Sequence, residues 1–457
     1  VNATRTSRTP SARRFIAQRA LGSVTAALVA ALLLSPRGLA QDAPPEPRLG
    51  FTVAPSPGAT KMTIGLPKPT GGSAEAKEFY EVLTRDLNLS GWFNIVDPAG
   101  YVEPAGTGIQ LGQFRFEDWD VIGTTVLAKT SLSMSGGKLR AEAWVYAVPG
   151  REKLDAKAFT ADVTKVRTLA HKVANEIILA VTGKQGPFNT RFAVVGKFGK
   201  NGNKEIYTVD FDGHGLSPVT KNGSINLQPS WDPGAGRIAF TSYLSGNPDL
   251  YVADLGKGRI TRLSSRSGIN TGATWAPGGG RIALTLSPGG DPDIYAIDAN
   301  SGAELARLTK ASGIDVSPSY SPDGSKIAFV SDRSGGAHIY VANADGSDPR
   351  RVTFQGSQNT DPSWSPDGRS LVFVSREGNF DIFTVRLDGS GLTRITQGQG
   401  DNEDPSFSPD GYYIAFSSTR AGGGHIWLST ADGAHQVQLT QGGGGYSNPA
   451  WSPSLPW

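Results

Sequence analysis

From residue 191 onward the chain alternates short apolar runs with turns rich in Gly, Pro and Asp, and it does so on a fixed period. Runs such as RIAFTS (237–242), RIALTL (281–286), KIAFVS (326–331), SLVFVS (370–375) and YIAFSS (413–418) are β-branched and aromatic, and turn formers bound them. That pattern predicts strands. Several follow a Ser-Pro-Asp-Gly turn (321–324, 365–368, 408–411); proline presets φ there, and Asp-Gly suits a tight reversal. Each precedes a further strand, as in DLYVAD (249–254), DIYAID (293–298) or HIWLST (425–430), and a short closing strand ending in RLS, RLT, RVT, RIT or QLT. An aromatic residue ahead of the turn keeps the count: Trp231, Trp275, Tyr320, Trp364, Phe407 and Trp451 are 43 to 45 residues apart. This is the period of a four-stranded propeller blade.

A lone four-stranded sheet has two faces to bury, and radial stacking of copies covers both. The aromatic series therefore reads as packing between blades rather than a ligand-stacking platform, because each member holds the same place in its unit. Counting closes the ring. RFAVVG (191–196), EIYTVD (205–210) and PVT (218–220) lack a preceding inner strand, whereas PAWSP (449–453) is an inner strand with nothing after it. Six blades result, with the C-terminal strand completing the first.

Ahead of the propeller the pattern is mixed. MTIGLP, WFNIVD (92–97), DVIGTTVL (120–127) and LRAEAWVYAV (139–148) predict strands. Residues 74–88 and 161–183 carry apolar residues at helical spacing, the second helix ending at Gly183. The expected fold is multidomain: an N-terminal α/β domain over 61–183, a linker at 184–190, and an all-β six-bladed propeller over 191–457 closed by a C-terminal strand. Residues 41–60 hold five prolines without periodicity and read as a flexible arm. Residues 1–40 read as a signal peptide: Arg5, Arg8, Arg13, Arg14 and Arg19, an apolar run from Ala20 to Leu34, then Gly38-Leu39-Ala40 with cleavage expected before Gln41. The apolar run is shorter than a spanning helix needs, so export without stable membrane insertion is expected.

Charge then changes meaning. The whole chain is +3, but residues 1–40 hold six arginines and no acid, leaving −3 on the remainder. Nucleic acid is not an expected partner. There is no cysteine, which excludes disulfides and thiolate chemistry. The five histidines form no close ligand pair, and no GxSxG elbow or GxxxxGK[ST] loop is present. No enzymatic activity, metal or cofactor is expected. His338 and His425 stand where other copies have Asp, and read as blade-surface variants.

What remains is the surface of loops leading into the inner strands. They repeat an Asn or Asp ahead of the strand's Pro position: Asn226, Asn270, Asp315, Asn359 and Asn402. Two readings stay open: side chains bonding their own loops, or a ring around the channel mouth that binds a ligand or peptide. Asp361, Glu403 and Asp404 add negative charge on one side, which suits a cation or a basic segment.

The segments MTIGLP, SGWFNIVD (90–97), LAHKVANEIILAVTGKQGPFNTRFAVVG (169–196), the blade series and the terminal PAWSP together resemble the TolB family, the periplasmic propellers of the Tol–Pal system. The resemblance implies a non-enzymatic periplasmic adaptor that supports outer-membrane integrity and constriction during cell division. It would link TolA to the peptidoglycan-associated lipoprotein Pal, and other outer-membrane or peptidoglycan-associated proteins are further candidate partners. It implies a TolA-binding arm, here Gln41, Asp42, Arg48, Leu49, Phe51 and Val53. It also implies a Pal-binding rim, here Asn226, Ile269, Asn270, Asp315, Val316, Asn359, Thr360, Asp361, Asn402 and Glu403. The sequence departs from the family at Ile269 and Val316, where the family carries a histidine and a threonine facing Pal. Competing expectations are a stand-alone cell-wall or glycan-binding propeller and a metal-dependent propeller hydrolase.

Overall fold

The computed structural model describes residues 61–70, 73–198, 202–443 and 445–457. The expected signal peptide and proline-rich arm lie outside the described residues. The α/β domain comprises β1 (Met62–Gly65), α1 (Ala74–Leu89), β2 (Phe93–Ile95), α2 (Glu117–Asp120), β3 (Val126–Ser135), β4 (Lys138–Ala147), β5 (Glu152–Ala161) and α3 (Val166–Thr182). The sheet order is β2-β1-β3-β4-β5. The β1 strand lies parallel to β2 and β3, and β3 to β5 form an antiparallel meander.

Local chemistry sets the helix ends. The Ser73 hydroxyl caps α1 by accepting from the Ala76 N–H, and α3 stops at Gly183, whose φ of +72° suits glycine. Phe79, Leu83, Leu169, Val173 and Ile177 from these helices share a core with Val126, Ala128, Ala141 and Ala143 of the sheet. Alternate residues build a second, aromatic cluster from Trp119, Leu127, Tyr146 and Val148.

Two strand and helix limits differ from the sequence reading. The strand expected over 120–127 begins only at Val126, because the chain first winds through α2 and turns at Gly123, φ +71°. The helix expected from 161 begins at Val166, because β5 runs to Ala161 and a single 3-10 turn (Val163–Lys165) intervenes. The sequence pattern predicts no strand over β5, because its exposure lacks clean alternation.

Six four-stranded sheets form the propeller. The first takes its inner strand from Tyr446–Trp451, which pairs antiparallel with Arg191–Lys197, followed by Lys204–Asp210 and Ser217–Pro218. Inner strands of the second to sixth blades are Asn226–Trp231, Asn270–Trp275, Asp315–Tyr320, Asn359–Trp364 and Asn402–Phe407.

The repeated residues are joints. Trp231 donates its indole N–H to Ala450 O (3.1 Å), Trp275 to Ser230 O (3.1 Å) and Trp364 to Ser319 O (2.9 Å), each reaching the inner strand of the preceding blade. The Thr of the closing tripeptide accepts from a backbone N–H of the third strand, as Thr309 does from Ile294 and Thr396 from Ile382, both at 2.9 Å. An acid at or near the start of that third strand holds the arginine that opens the tripeptide: Asp293 pairs with Arg307 and Asp381 with Arg394. His338 and His425 take this same position and meet Arg351 (2.9 Å) and Gln438 (3.2 Å). Both are buried, so they are interior members of the joint and not surface variants.

The closing strand is held by more than its ladder. The Trp451 ring lies 4.6 Å from Phe192 and 6.1 Å from Phe211, and its indole donates to the Thr190 hydroxyl at 2.8 Å. Ser452 N donates to Arg191 O and Leu455 N to Asn189 O, both at 2.8 Å. Removing a buried Trp costs about 3–5 kcal/mol. Trp451→Ala is therefore expected to lower unfolding stability by about that much in urea titrations. Trp457→Ala, at a half-exposed position, should stay within about 0.5 kcal/mol. Equal effects of the two would mean that the terminal strand does not close the ring.

Candidate functional site

The six inner strands share an irregularity. Their register with the second strand slips at one point, for example between Thr360 and Ser363 or Glu403 and Ser406. The residue at the slip is left-handed in every blade: Gln228, Ser317, Asp361, Asp404 and Asn448 have φ of +51°, +53°, +52°, +56° and +48°, and Gly272 has +61°. An L residue there costs on the order of 1 kcal/mol, least for Asn and Asp. These six residues line a channel cavity of about 210 Å³ together with the Pro-Ser or equivalent pair that follows each.

The loops that lead into the inner strands fall into two groups. In the second, third and fourth blades the residue before each inner strand is Ile225, Ile269 or Ile314. The equivalent residues of the fifth, sixth and first are Gln358, Asp401 and Gly445. Ile225, Ile314, Tyr243 and Leu244 are among the exposed large apolar residues, and Val316 follows two positions after Ile314. In the other group, Thr360, Asp361, Glu403 and Asp404 occupy neighbouring blades.

Burial in the channel, then the charge of Asp404, pushes the Asp361 carboxyl up to about 7. Asp404 is also raised by burial, while donors from Ser417 (2.9 Å) and from the Asn448 N–H (3.1 Å) and amide (2.6 Å) favour its ionised form. Burial and the charges of Asp404 and Asp401 raise Glu403.

The five repeated Asn and Asp side chains lie elsewhere than on this surface. Asn226, Asn270, Asp315, Asn359 and Asn402 are essentially fully buried. Asn226 donates to Glu205 (3.0 Å), Asn402 to Asp381 (3.0 Å), and Asn359 meets His338 Nδ1 (3.0 Å), each link tying one blade to its predecessor. Asn270 accepts from Ser264 (2.7 Å), and Asp315 receives a two-pronged contact from Arg333 at 2.9 and 3.0 Å. These side chains hold the loops and do not face outward. Of the other expected rim residues, Asp361 lines the channel, and Ile269, Val316, Thr360 and Glu403 sit at or next to the start of their inner strands. Gln41, Asp42, Arg48, Leu49, Phe51 and Val53 lie outside the described residues. The sequence reading does not single out Ile225 or Ile314; their signal is the residue before each inner strand, which is isoleucine in three successive copies only. Among the described residues, no group of three or more His, Asp or Glu is placed to hold a metal, and no helix is long and apolar enough to cross a membrane.

Fold and site define a class: a six-bladed propeller with a central channel, carried on an α/β domain. The family model described as the TolB β-propeller domain matches residues 179–455, and that for the TolB amino-terminal domain matches 55–154; the chain belongs to the TolB β-propeller family. It is 42% identical over 185 residues to the Tol-Pal system protein TolB of Geobacter sulfurreducens, covering 38% of this chain and 41% of that protein. It is 37% identical over 233 residues to the protein of the same name from Anaeromyxobacter dehalogenans, covering 50% and 51%. The matched segments thus span about half or less of those relatives' length. The crystal structure of TolB from Acinetobacter baumannii superposes with a TM-score of 0.79 at 26% identity, covering 87% of this chain and 98% of that one.

The raised carboxyl of Asp361 has a sign. The folded state keeps the proton while the unfolded chain releases it near the ordinary 3.8, so stability is lost as pH climbs from there to about 7. Asp361→Asn removes this loss, and Asn tolerates the left-handed backbone. The variant should match its parent near pH ~4 and exceed it by at least about 1 kcal/mol near pH ~8, measured by urea midpoints. A constant difference across that range would place the Asp361 titration elsewhere.

Proposed function

We propose that the chain is a periplasmic adaptor of the Tol–Pal system, exported by residues 1–40 and working through two separate surfaces. The arm around Gln41–Val53 binds TolA, and the channel mouth binds Pal. Family membership supports the system. What supports the second surface is the channel lined by Asp361 and Asp404, together with the entry loops of the second to fourth blades, which carry Ile225, Ile269 and Ile314. Exposed apolar residues supply area for burial, and the acids fix the orientation of a partner with complementary charge. Such a division suits an adaptor, because each partner can be held without displacing the other.

The test uses the exported protein with purified TolA and Pal. Deleting residues 41–53 should abolish TolA capture and leave Pal affinity unchanged. Ile314→Asp, on an exposed side chain, should weaken Pal by about tenfold or more and leave TolA untouched. Loss of both partners in either variant would overturn the two-surface reading. Retention of isolated cell-wall fragments without Pal would favour a glycan-binding propeller instead.

A further inference from the structure

In the fourth and sixth blades an arginine ties the second strand to the inner one. Arg333 donates to both oxygens of Asp315 (3.0 and 2.9 Å) and to Ser331 Oγ (2.8 Å). Arg420 donates to Asn402 Oδ1 (2.7 Å) and to Ser418 Oγ (2.9 Å). Each guanidinium also covers an aromatic pair. Arg333 stands 5.4 and 5.1 Å from the Phe329 and Tyr340 rings, and Arg420 5.3 and 4.6 Å from Phe416 and Trp427. Both arginines follow their serine by two positions; in the fifth blade the residue two positions after Ser375 is Glu377. The hairpin there is one residue shorter than in the two sister blades. Strand pairing runs on to Glu377 and Asn379, and alternation sets Ser375 and Glu377 on one face.

The groups that meet arginine in the sister blades persist in the fifth. Asn359 Oδ1 is buried and has no hydrogen-bond partner among the described residues. The amide nitrogen of Asn359 is held by Gln355 O and His338 Nδ1, both at 3.0 Å, which sets the direction of that oxygen. The Phe373–Phe383 pair keeps the geometry of Phe329–Tyr340: ring centres 5.9 against 6.0 Å apart, planes at 28° against 24°. Asn359, Ser375, Glu377, Phe373 and Phe383 line one cavity of about 50 Å³ between the fourth and fifth blades. Phe354 and Leu392, 66% and 36% exposed, line it as well. None of these residues lines the channel. At on the order of 10–15 Å³ for one water, the volume suits a group of about four non-hydrogen atoms, the size of a guanidinium.

Charge narrows the occupant. Among the described residues Glu377 pairs with Arg394 alone, at 4.0 Å, and Arg394 is also held by Asp381. Two carboxylates thus share one guanidinium, and a negative charge is left over. Arg351 stacks on Phe354 with its guanidinium 5.2 Å from the ring, but it does not exclude another cation. The corresponding cleft between the third and fourth blades is lined by both Arg307, which holds the place of Arg351, and Arg333. A neutral amide would leave Glu377 uncompensated, and an ammonium has no flat face to lay on the rings. A guanidinium brings the charge, the plane and a fixed fork of donors together. The exposed Phe354 and Leu392 add apolar area that a body larger than the guanidinium covers. We propose that this cleft receives an arginine side chain of a protein partner, which makes in trans the contacts that Arg333 and Arg420 make within their own blades.

The test follows the Asn359 side-chain amide signals of the ¹⁵N-labelled full chain, assigned with Asn359→Asp, during titration with the peptide acetyl-Leu-Arg-Leu-amide. A saturable shift is expected, and acetyl-Leu-Lys-Leu-amide should bind at least about fivefold more weakly. Glu377→Gln, at an exposed position, should weaken the arginine peptide by about fivefold, the loss of one charge-assisted contact. Glu377→Arg, which supplies a guanidinium from the chain itself, should abolish the shift. Absence of a saturable shift, or a shift unchanged in both Glu377 variants, would overturn the site. Equal binding of the lysine peptide would overturn the arginine class. Methylguanidinium binding as tightly as the peptide would make it a small-molecule pocket. An Asn359 shift in Arg48→Gln without peptide would make the chain's own arm the occupant. Either result overturns the partner.

Discussion

The pairing of Tyr446–Trp451 with Arg191–Lys197 is the constraint on which the rest of the molecule depends. It joins segments about 250 residues apart, so the chain must lose nearly all of its loop entropy before the first blade is complete. One ladder of this length would not hold a seam open to solvent. The seam is instead covered. Arg85 of α1 donates to Asp212 O (2.5 Å) in the first blade and to Leu439 O (3.0 Å) in the sixth, and Tyr413 of the sixth donates to Ser90 O (2.8 Å). Phe192, Phe211, Tyr413, Leu439 and Trp451 belong to the same apolar cluster as the helices α1 and α3. The α/β domain thus packs over the joint where the ring closes, and domain junction and ring closure are one energetic unit.

Polar chemistry inside that junction is dense for a buried place. His171 touches Asp86 at 2.7 Å, and Arg167 pairs with Asp212. Burial would depress the His171 imidazolium, but contact with the Asp86 carboxylate outweighs it and raises the pKa. Removing one member of such a set strands a charge, which is more costly than never having had the set. The junction is specific for that reason as much as for its area.

The repeat was legible because its period is written by residues that cannot move: an aromatic in each inner strand, a tight turn, and a Thr that accepts a backbone N–H. Even the missing inner strand could be counted. The repeated Asn and Asp positions were visible too, but their direction was not. A side chain at the start of an inner strand can point to the mouth or to the neighbouring blade, and that choice depends on Glu205, Asp381 or His338 lying across the gap. The same limit hid β5 and the onset of β3, where tertiary packing and not alternation sets the strand. The buried ion pair of the α/β domain was invisible for a further reason: Lys129 reads as an ordinary strand lysine until Glu103 is seen to cover it.

The channel carboxyls show how seam and surface share one set of atoms. Asp404 in the sixth blade accepts from Asn448 in the first, by backbone and by amide, and from Ser417 in its own sheet. Each of these donors favours the carboxylate. Asp361, one blade further round, has only its neighbour Thr360 in that role. Burial and the charge of Asp404 together hold the proton on Asp361, while the donors around Asp404 oppose its own upward shift. The left-handed ring makes the arrangement possible, because only a bulged strand turns the same position of every blade into the channel. Strain of on the order of 1 kcal/mol in each blade except the third, which has Gly272 there, is offset by the joints that the bulge leaves intact on either side.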